Sequence, residues 1–297
     1  MSPSSPSSKR NAVAMVAAAG VGIVVWQLLG GRAARRTRYG IVVWQLSQLP
    51  AGWADLFAKQ AWDFVSIKVC DGRRQFKPDD VFVMVRELRQ RGVAVHGWGF
   101  HYCRTVEAAV AEARVAAHVC NHYGLSDYHW NAEKHWSGSD DRVRAAVAFA
   151  REFHRLAPQT LLWANCYSGP MTREILRSCG VRPCFDVWEP MMYGTRASTI
   201  DRHTRRRLNK FGGAGEAQVP RAMMVGTGKT DSEGQTWGFF NDRGAVPGLL
   251  TLVQREQPYA VSYWRAPSNL LTGNAENPSV AEQLRVMQAA TGRREVA

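Results

Sequence analysis

The sequence predicts an α/β chain whose main body is a (β/α)8 barrel of the TIM type, preceded by one N-terminal transmembrane helix. Three observations predict it. From Arg38 onward, short apolar, β-branched or aromatic runs alternate eight times with longer amphipathic ones. The apolar runs recur at intervals of about 25–40 residues, which suits strand–helix units and not a sandwich of hairpins. Ahead of them, residues 12–31 hold twenty positions without a charge.

Residues 1–11 are rich in Ser and Pro and are expected to be disordered. The run "AVAMVAAAGVGIVVWQLLGG" (12–31) would cover about 30 Å as a helix, the thickness of a bilayer core. Its length favours a permanent single-pass anchor, with Trp26 at one interface and lipid as the partner of this segment. A cleaved signal peptide, giving a secreted protein, and a buried soluble helix are the alternatives. Residues 32–38 form a basic linker. The arginines there (Arg32, Arg35, Arg36, Arg38) outnumber Lys9 and Arg10 before the run, which would hold the large domain on the cytoplasmic side.

The barrel, residues 39–297, is built from eight strand candidates. They are "YGIVVWQL" (39–46), "WDFVSIKVC" (62–70), "VAVHGWGFHYC" (93–103) and "DYHWNAEKHW" (127–136), then "TLLWANCYSG" (160–169), "CFDVWEPMMYG" (184–194), "RAMMVGTG" (221–228) and "AVSYWRAP" (260–267). The helical segments between them carry their own punctuation. In 77–92, Val81, Met84, Val85 and Leu88 share one face, carboxylates occupy the first turn and Gly92 closes the segment. Residues 105–124 open on Thr105 and close on Gly124, and 139–158 open on Ser139 and Asp140 and stop at Pro158. A last helix is expected over 277–290, with Pro278 in its first turn. "VGTGKT" (225–230) lacks the spacing of a phosphate loop.

The chain has 297 residues, 45% hydrophobic content, 11 tryptophans and a formal net charge of +13, so a large core can form and the partner should be anionic. Nucleic acid, phospholipid headgroups and an acidic cell-wall polymer all qualify. The basic stretch "DRHTRRRLNK" (201–210) is read as a solvated helix face, which makes nucleic acid an unlikely partner. The six cysteines form no CxxC pair, so no metal site and no cofactor is expected. Cys179 and Cys184 bracket a short loop and are either bridged or buried thiols.

Active sites of such barrels form at the C-terminal ends of the strands. Those ends carry Asp71, His101, Asn131, Glu133, Asn165, Tyr167, Asp186, Glu189, Tyr263 and Trp264. Carboxylates, amides and aromatic rings together describe a sugar-binding cleft. Asn131 and Glu133 are two apart in one strand, so both should face the barrel axis, with His129 one step deeper. Glu133 lies among Trp130, His135 and Trp136, a setting that could keep its carboxyl protonated as a general acid, the competing reading being an ion pair with Lys134 or an arginine at the rim. Asp71, His101, Tyr167, Asp186, Glu189 and Trp264 are assigned to substrate binding. His101 has a competing reading as a hydrogen-bonded structural histidine, and Asp71 as a turn cap.

The order "YGIVVWQ", "FVSIKVCDG", "GWGFHYC", "WNAE", "ANCYSG", "VWEPMMYG", "SYWRAP" across about residues 39–267 resembles glycoside hydrolase family 25, the lysozyme-type muramidases. The resemblance implies a glycoside hydrolase acting on peptidoglycan or a similar N-acetylated polysaccharide, with Glu133 as general acid. The family's aspartate on strand one corresponds here to Val42, and the first carboxylate of its Asp-x-Glu pair to Asn131. An Asn-x-Glu pair also resembles that of family 85 endo-N-acetylglucosaminidases, in which the substrate acetamido group attacks and the Asn orients it. Two functional classes therefore stand: a membrane-anchored, phage- or virion-associated lytic glycosidase, and an inactive barrel serving as a structural membrane or virion protein.

Overall fold

The computed structural model describes residues 36–60, 62–132, 140–166, 184–191, 222–230, 236–238 and 245–264. The expected transmembrane run, Glu133, Tyr167, the basic stretch 201–210 and the helix 277–290 lie outside them. Among the described residues no helix is long and apolar enough to cross a membrane.

Eight parallel strands form the sheet: β1 (Arg38–Val43), β2 (Phe64–Asp71), β4 (Val95–Phe100), β5 (Asp127–Ala132), β6 (Leu161–Cys166), β7 (Val187–Pro190), β8 (Ala222–Thr230) and β10 (Ala260–Trp264). Each pairs with the next, β10 returns to β1, and a parallel bridge from Met191 to Met224 links β7 to β8. The sheet is thus a near-closed barrel. Two short antiparallel strands, β3 (Arg74–Gln75) on β2 and β9 (Thr236–Gly238) on β8, are additions that the alternation did not anticipate. "VGTGKT" continues strand β8 and is no loop.

Odd-numbered residues of β2 (Val65, Ile67, Val69) belong to the main core beneath the helices, whereas Phe64, Ser66 and Lys68 face the barrel interior. The helices cover the outer face. They are α1 (Trp53–Lys59), α2 (Pro78–Gln90), α3 (Val106–Tyr123), α4 (Asp140–Leu156) and α5 (Ala245–Glu256). In α2, Pro78 opens the first turn, Asp79 and Asp80 complement the N-terminal dipole, and Val81, Met84, Val85 and Leu88 are buried as their spacing required. Helix α3 starts at a cap, Thr105 Oγ1 accepting from Ala108 N at 3.1 Å, and ends at Gly124, which is left-handed with φ of 58°. Its buried face is mostly alanine, which lets α4 approach closely. Helices α1 and α5 were not anticipated. Helix α1 is only seven residues long, and α5 follows a Gly- and Arg-rich stretch whose composition hides the period.

At the N-terminal face of the barrel, aspartates just before strands pin the register of their neighbours. Asp63 Oδ2 accepts from Tyr39 N at 2.6 Å and Asp186 Oδ2 accepts from Leu162 N at 2.7 Å. Gly40 leaves room inside for the Phe64 ring, which would collide with any Cβ there.

Candidate active site

The barrel interior is stacked in layers. Phe64, Trp163, Val187, Ala222 and Ala260 form an apolar floor near the N-terminal ends. Val42, Trp98, Met191 and Met224 form an upper cluster, against which Trp44, Phe100 and Trp264 pack. Between the two lies a polar layer of His96, His129, Asn165, Glu189, Ser262 and Ser66, all buried. Buried polar groups persist only when hydrogen-bonded, so the wiring of this layer is its main feature.

Glu189 is at its centre. Oε1 accepts from Ser262 Oγ at 2.5 Å, and Oε2 accepts from Asn165 Nδ2 at 2.8 Å and lies 2.8 Å from His129 Nδ1. His129 Nε2 is 3.1 Å from His96 Nδ1, and His96 Nε2 is 2.9 Å from Arg38 Nη2. A guanidinium only donates and an ionised carboxylate only accepts, which assigns the direction of every bond between them. Arg38 donates to His96 Nε2, His96 Nδ1–H donates to His129 Nε2, and His129 Nδ1–H donates to Glu189. Both imidazoles are then neutral. Burial, followed by the neighbouring His129 and Arg38, holds His96 well below the ordinary histidine value, in agreement with that assignment. Asp127 Oδ2 lies 3.2 Å from His96 Nε2, a contact that counts as an ion pair only with a charged imidazole. The hydrogen-bond order argues against that charge, and Asp127 is instead held by Trp163 Nε1 at 2.9 Å and faces Arg38 at 3.8 Å.

Above this layer lies a small cavity lined by Val42, Ser66, Trp98, His129, Asn131, Asn165, Met224 and Trp264, with a volume of about 10 Å³, the scale of one water. Ser66 Oγ and Asn165 Oδ1 are buried there without a hydrogen-bond partner among the described residues, so both are available to a ligand group. Trp44, Trp98 and Trp264 meet edge to face, with centroids 5.1–6.1 Å apart. The buried Lys68 ammonium lies 4.6 Å from the Trp44 ring centre and 4.4 Å from that of Phe76, and pairs with Asp71 Oδ2 at 2.6 Å.

The structure therefore brings together Asn131, Glu189 and Trp264 of the expected site residues. Asp71 sits at the rim of the same mouth, bonded to Lys68 and to the Tyr102 hydroxyl at 3.1 Å. Asp186 lies at the opposite, N-terminal end of β7, where it pins β6. His101 points outward, away from the axis. Its Nε2 meets the Tyr128 hydroxyl at 2.6 Å and its Nδ1 meets Glu112 at 3.1 Å. Val42 lines the cavity.

His101, Cys103 and Glu112 are the one group among the described residues whose donor atoms converge closely enough to hold a metal, all within 4.8 Å. Each is already engaged. Glu112 accepts from the backbone amides of Tyr102 and Cys103, both at 3.0 Å, as well as facing His101. Burial raises the Glu112 carboxyl, but the His101 contact and those amides more than offset it and leave it below the usual value. Burial raises the Cys103 thiol, and Glu112 beside it raises it further. With these hydrogen bonds in place, the group reads as a clamp on the loop after β4. Cys70, Cys103 and Cys120 are free and buried, whereas Cys184 is disulfide-bonded.

His96, Arg38, Asp127, Ser66, Lys68 and Ser262 lie within strands or at their first residue, away from the C-terminal strand ends where the sequence marks a site. The signal of Ser66, Lys68, His96 and Ser262 is a lone polar residue in mid-strand, as in "FVSIKV", "VAVHGW" and "AVSYW", whereas Arg38 and Asp127 open β1 and β5. In a barrel strand such a residue faces the axis.

No protein-family model matches the chain, and no curated protein sequence matches it. Solved structures do. A chitinase from Bacteroides thetaiotaomicron aligns with a TM-score of 0.60 at 9% identity, over 88% of this chain and 98% of that one. A GH18 chitinase from Pseudoalteromonas aurantia gives 0.59 at 10% identity, over 85% and 99%. The spore cortex-lytic enzyme SleL of Bacillus megaterium QM B1551 gives 0.57 at 8% identity, over 88% and 75%. At such identities the likeness is one of fold: the chain shares the α/β barrel architecture of these structures.

Proposed function

We propose that the chain is a glycoside hydrolase acting on an N-acetylated cell-wall glycan such as peptidoglycan, of muramidase or endo-N-acetylglucosaminidase type. The observation that carries this reading is the pair of amides, Asn131 and Asn165, that line the axial cavity together with Trp98 and Trp264, with Asn165 bonded to the buried Glu189 carboxylate below it. Glu133 follows Asn131 by two residues in the sequence and serves as general acid, giving its proton to the glycosidic oxygen as the C1–O bond breaks. The substrate's acetamido oxygen forms the new bond to C1, and Asn131 holds that acetamido group in line. Water then opens the oxazolinium and returns a proton to Glu133. No protein carboxylate on strand one is needed, which suits Val42 at that position.

The uncharged run 12–31 would tether the barrel to a membrane, in a cell envelope or a virion, next to its polymeric substrate. A second reading has one observation behind it. Val42 lines the cavity, and on the resemblance to the muramidases it stands in place of their aspartate, so the barrel could instead be an inactive scaffold of a membrane or virion. Purified peptidoglycan separates the two: release of reducing ends by the wild type, lost in Glu133→Gln, supports the enzyme, and no release by either supports the scaffold.

A further inference from the structure

Beside the barrel mouth runs a groove of about 710 Å³ whose wall is the β2–β3 turn on one side and the loop from β4 to α3 on the other. The turn is built for close approach. Gly72 has φ of 57° and packs so tightly under the Tyr102 ring that a Cβ would lie 2.8 Å from it. Four cations, Arg73, Arg74, Lys77 and Arg104, are exposed along the groove. Arg73, Arg74 and Arg104 have no carboxylate within 4.0 Å among the described residues. The two acids that line the groove are both occupied: Asp71 by Lys68 and the Tyr102 hydroxyl, Glu112 by two amides and His101. Cationic charge is therefore left uncompensated. Tyr102 adds a ring that is 40% exposed and braced edge-on by Phe100, with centroids 5.1 Å apart. The groove is contiguous with the mouth through Asp71 and Lys68, whose ammonium lies 5.4 Å from the Trp98 ring centre.

Resting on the glycan reading above, we propose that this groove is a subsite for carboxylate-bearing substituents of the glycan. Arg73, Arg74 and Arg104 pair with the carboxylates, and Tyr102 stacks on the sugar that carries them. A neutral N-acetylglucosamine polymer would fill the mouth and gain nothing from the groove. Guanidinium groups suit this role because they bind carboxylates through two parallel N–H donors.

The test uses the full chain in detergent, with three probes: peptidoglycan sacculi, the same sacculi with their carboxylates amidated, and a neutral N-acetylglucosamine hexamer. The R73S/R74S/R104S triple should bind sacculi about tenfold more weakly than wild type, since exposed pairs are individually modest. It should bind the hexamer as wild type does. Amidated sacculi should bind both proteins at the weakened level, R73K/R74K/R104K, which keeps the charge but loses the paired donors, should fall between wild type and the serine triple, and salt should erode only the wild-type advantage. A triple that binds sacculi like wild type, or that loses sacculi and hexamer equally, overturns the groove assignment while leaving the glycan reading intact. Wild type that binds neither sacculi nor hexamer overturns both. A single-stranded oligonucleotide bound more tightly than sacculi, and lost in the serine triple, would assign the groove to nucleic acid instead.

Discussion

Glu189 Oε2 lies 2.8 Å from His129 Nδ1, and both residues are buried on the axis of the barrel. Glu189 also accepts from Ser262 and Asn165, so its two oxygens serve three donors. Replacing it with Gln puts an NH2 group where a donor already points. Glu189→Gln should cost about 1–3 kcal/mol, the penalty of a buried polar group left unpaired. Urea denaturation would measure it, and a wild-type midpoint would contradict the hydrogen-bond order assigned here.

Two of the buried histidines, His96 and His101, predict a pH dependence. Burial holds His101 below the ordinary value of 6.5 and His96 well below it. Between those depressed values and 6.5 the unfolded chain binds protons that the folded one refuses. Stability should therefore be full above about pH 6.5 and fall as the pH drops, with a slope approaching about 1.4 kcal/mol per pH unit for each histidine. Denaturation midpoints at pH 7.5 and 5.5 would test this, and equal midpoints would contradict it.

Glu112 ties the loop after β4 to helix α3. Glu112→Ala would strand two buried amides and a histidine, at about 3–5 kcal/mol. Glu112→Gln keeps an acceptor and should cost less. Thermal melts rank the two variants, and an alanine variant as stable as the glutamine one would show that the clamp is dispensable.

Gly40 faces the Phe64 ring inside the barrel. The ring stacks on His96 with centroids 4.0 Å apart, so it has little freedom to retreat. Gly40→Ala should destabilise by about 1–3 kcal/mol through overpacking. A thermal melt within error of wild type would mean that the ring moves aside.

Much of this was legible in the sequence. The eight-strand alternation located every parallel strand, because a two-residue period in "FVSIKV" and a helical period in "VFVMVREL" are imposed by the faces that must be buried. The Asn131 face was legible for the same reason. Asp186 falls within the apolar run 184–194, but β7 begins only at Val187, which leaves Asp186 at the end opposite the mouth. His101 follows the inward-facing Phe100, so alternation turned it toward helix α3. The His96–His129–Glu189 string was not legible, since it joins three strands whose stagger no local pattern records. Nor was the groove, whose arginines are drawn together from two loops thirty residues apart in the chain, at Arg73, Arg74 and Arg104.

The central claim is that the barrel cleaves an N-acetylated glycan with Glu133 as general acid. The most direct measurement is reducing-end release from purified peptidoglycan by the full chain, beside Glu133→Gln and Asn131→Ala. Wild type should release reducing ends, the rate should fall about 10²–10⁴-fold in Glu133→Gln, and it should fall comparably in Asn131→Ala with binding retained. Absence of release by wild type across pH, or an undiminished rate in Glu133→Gln, would contradict it.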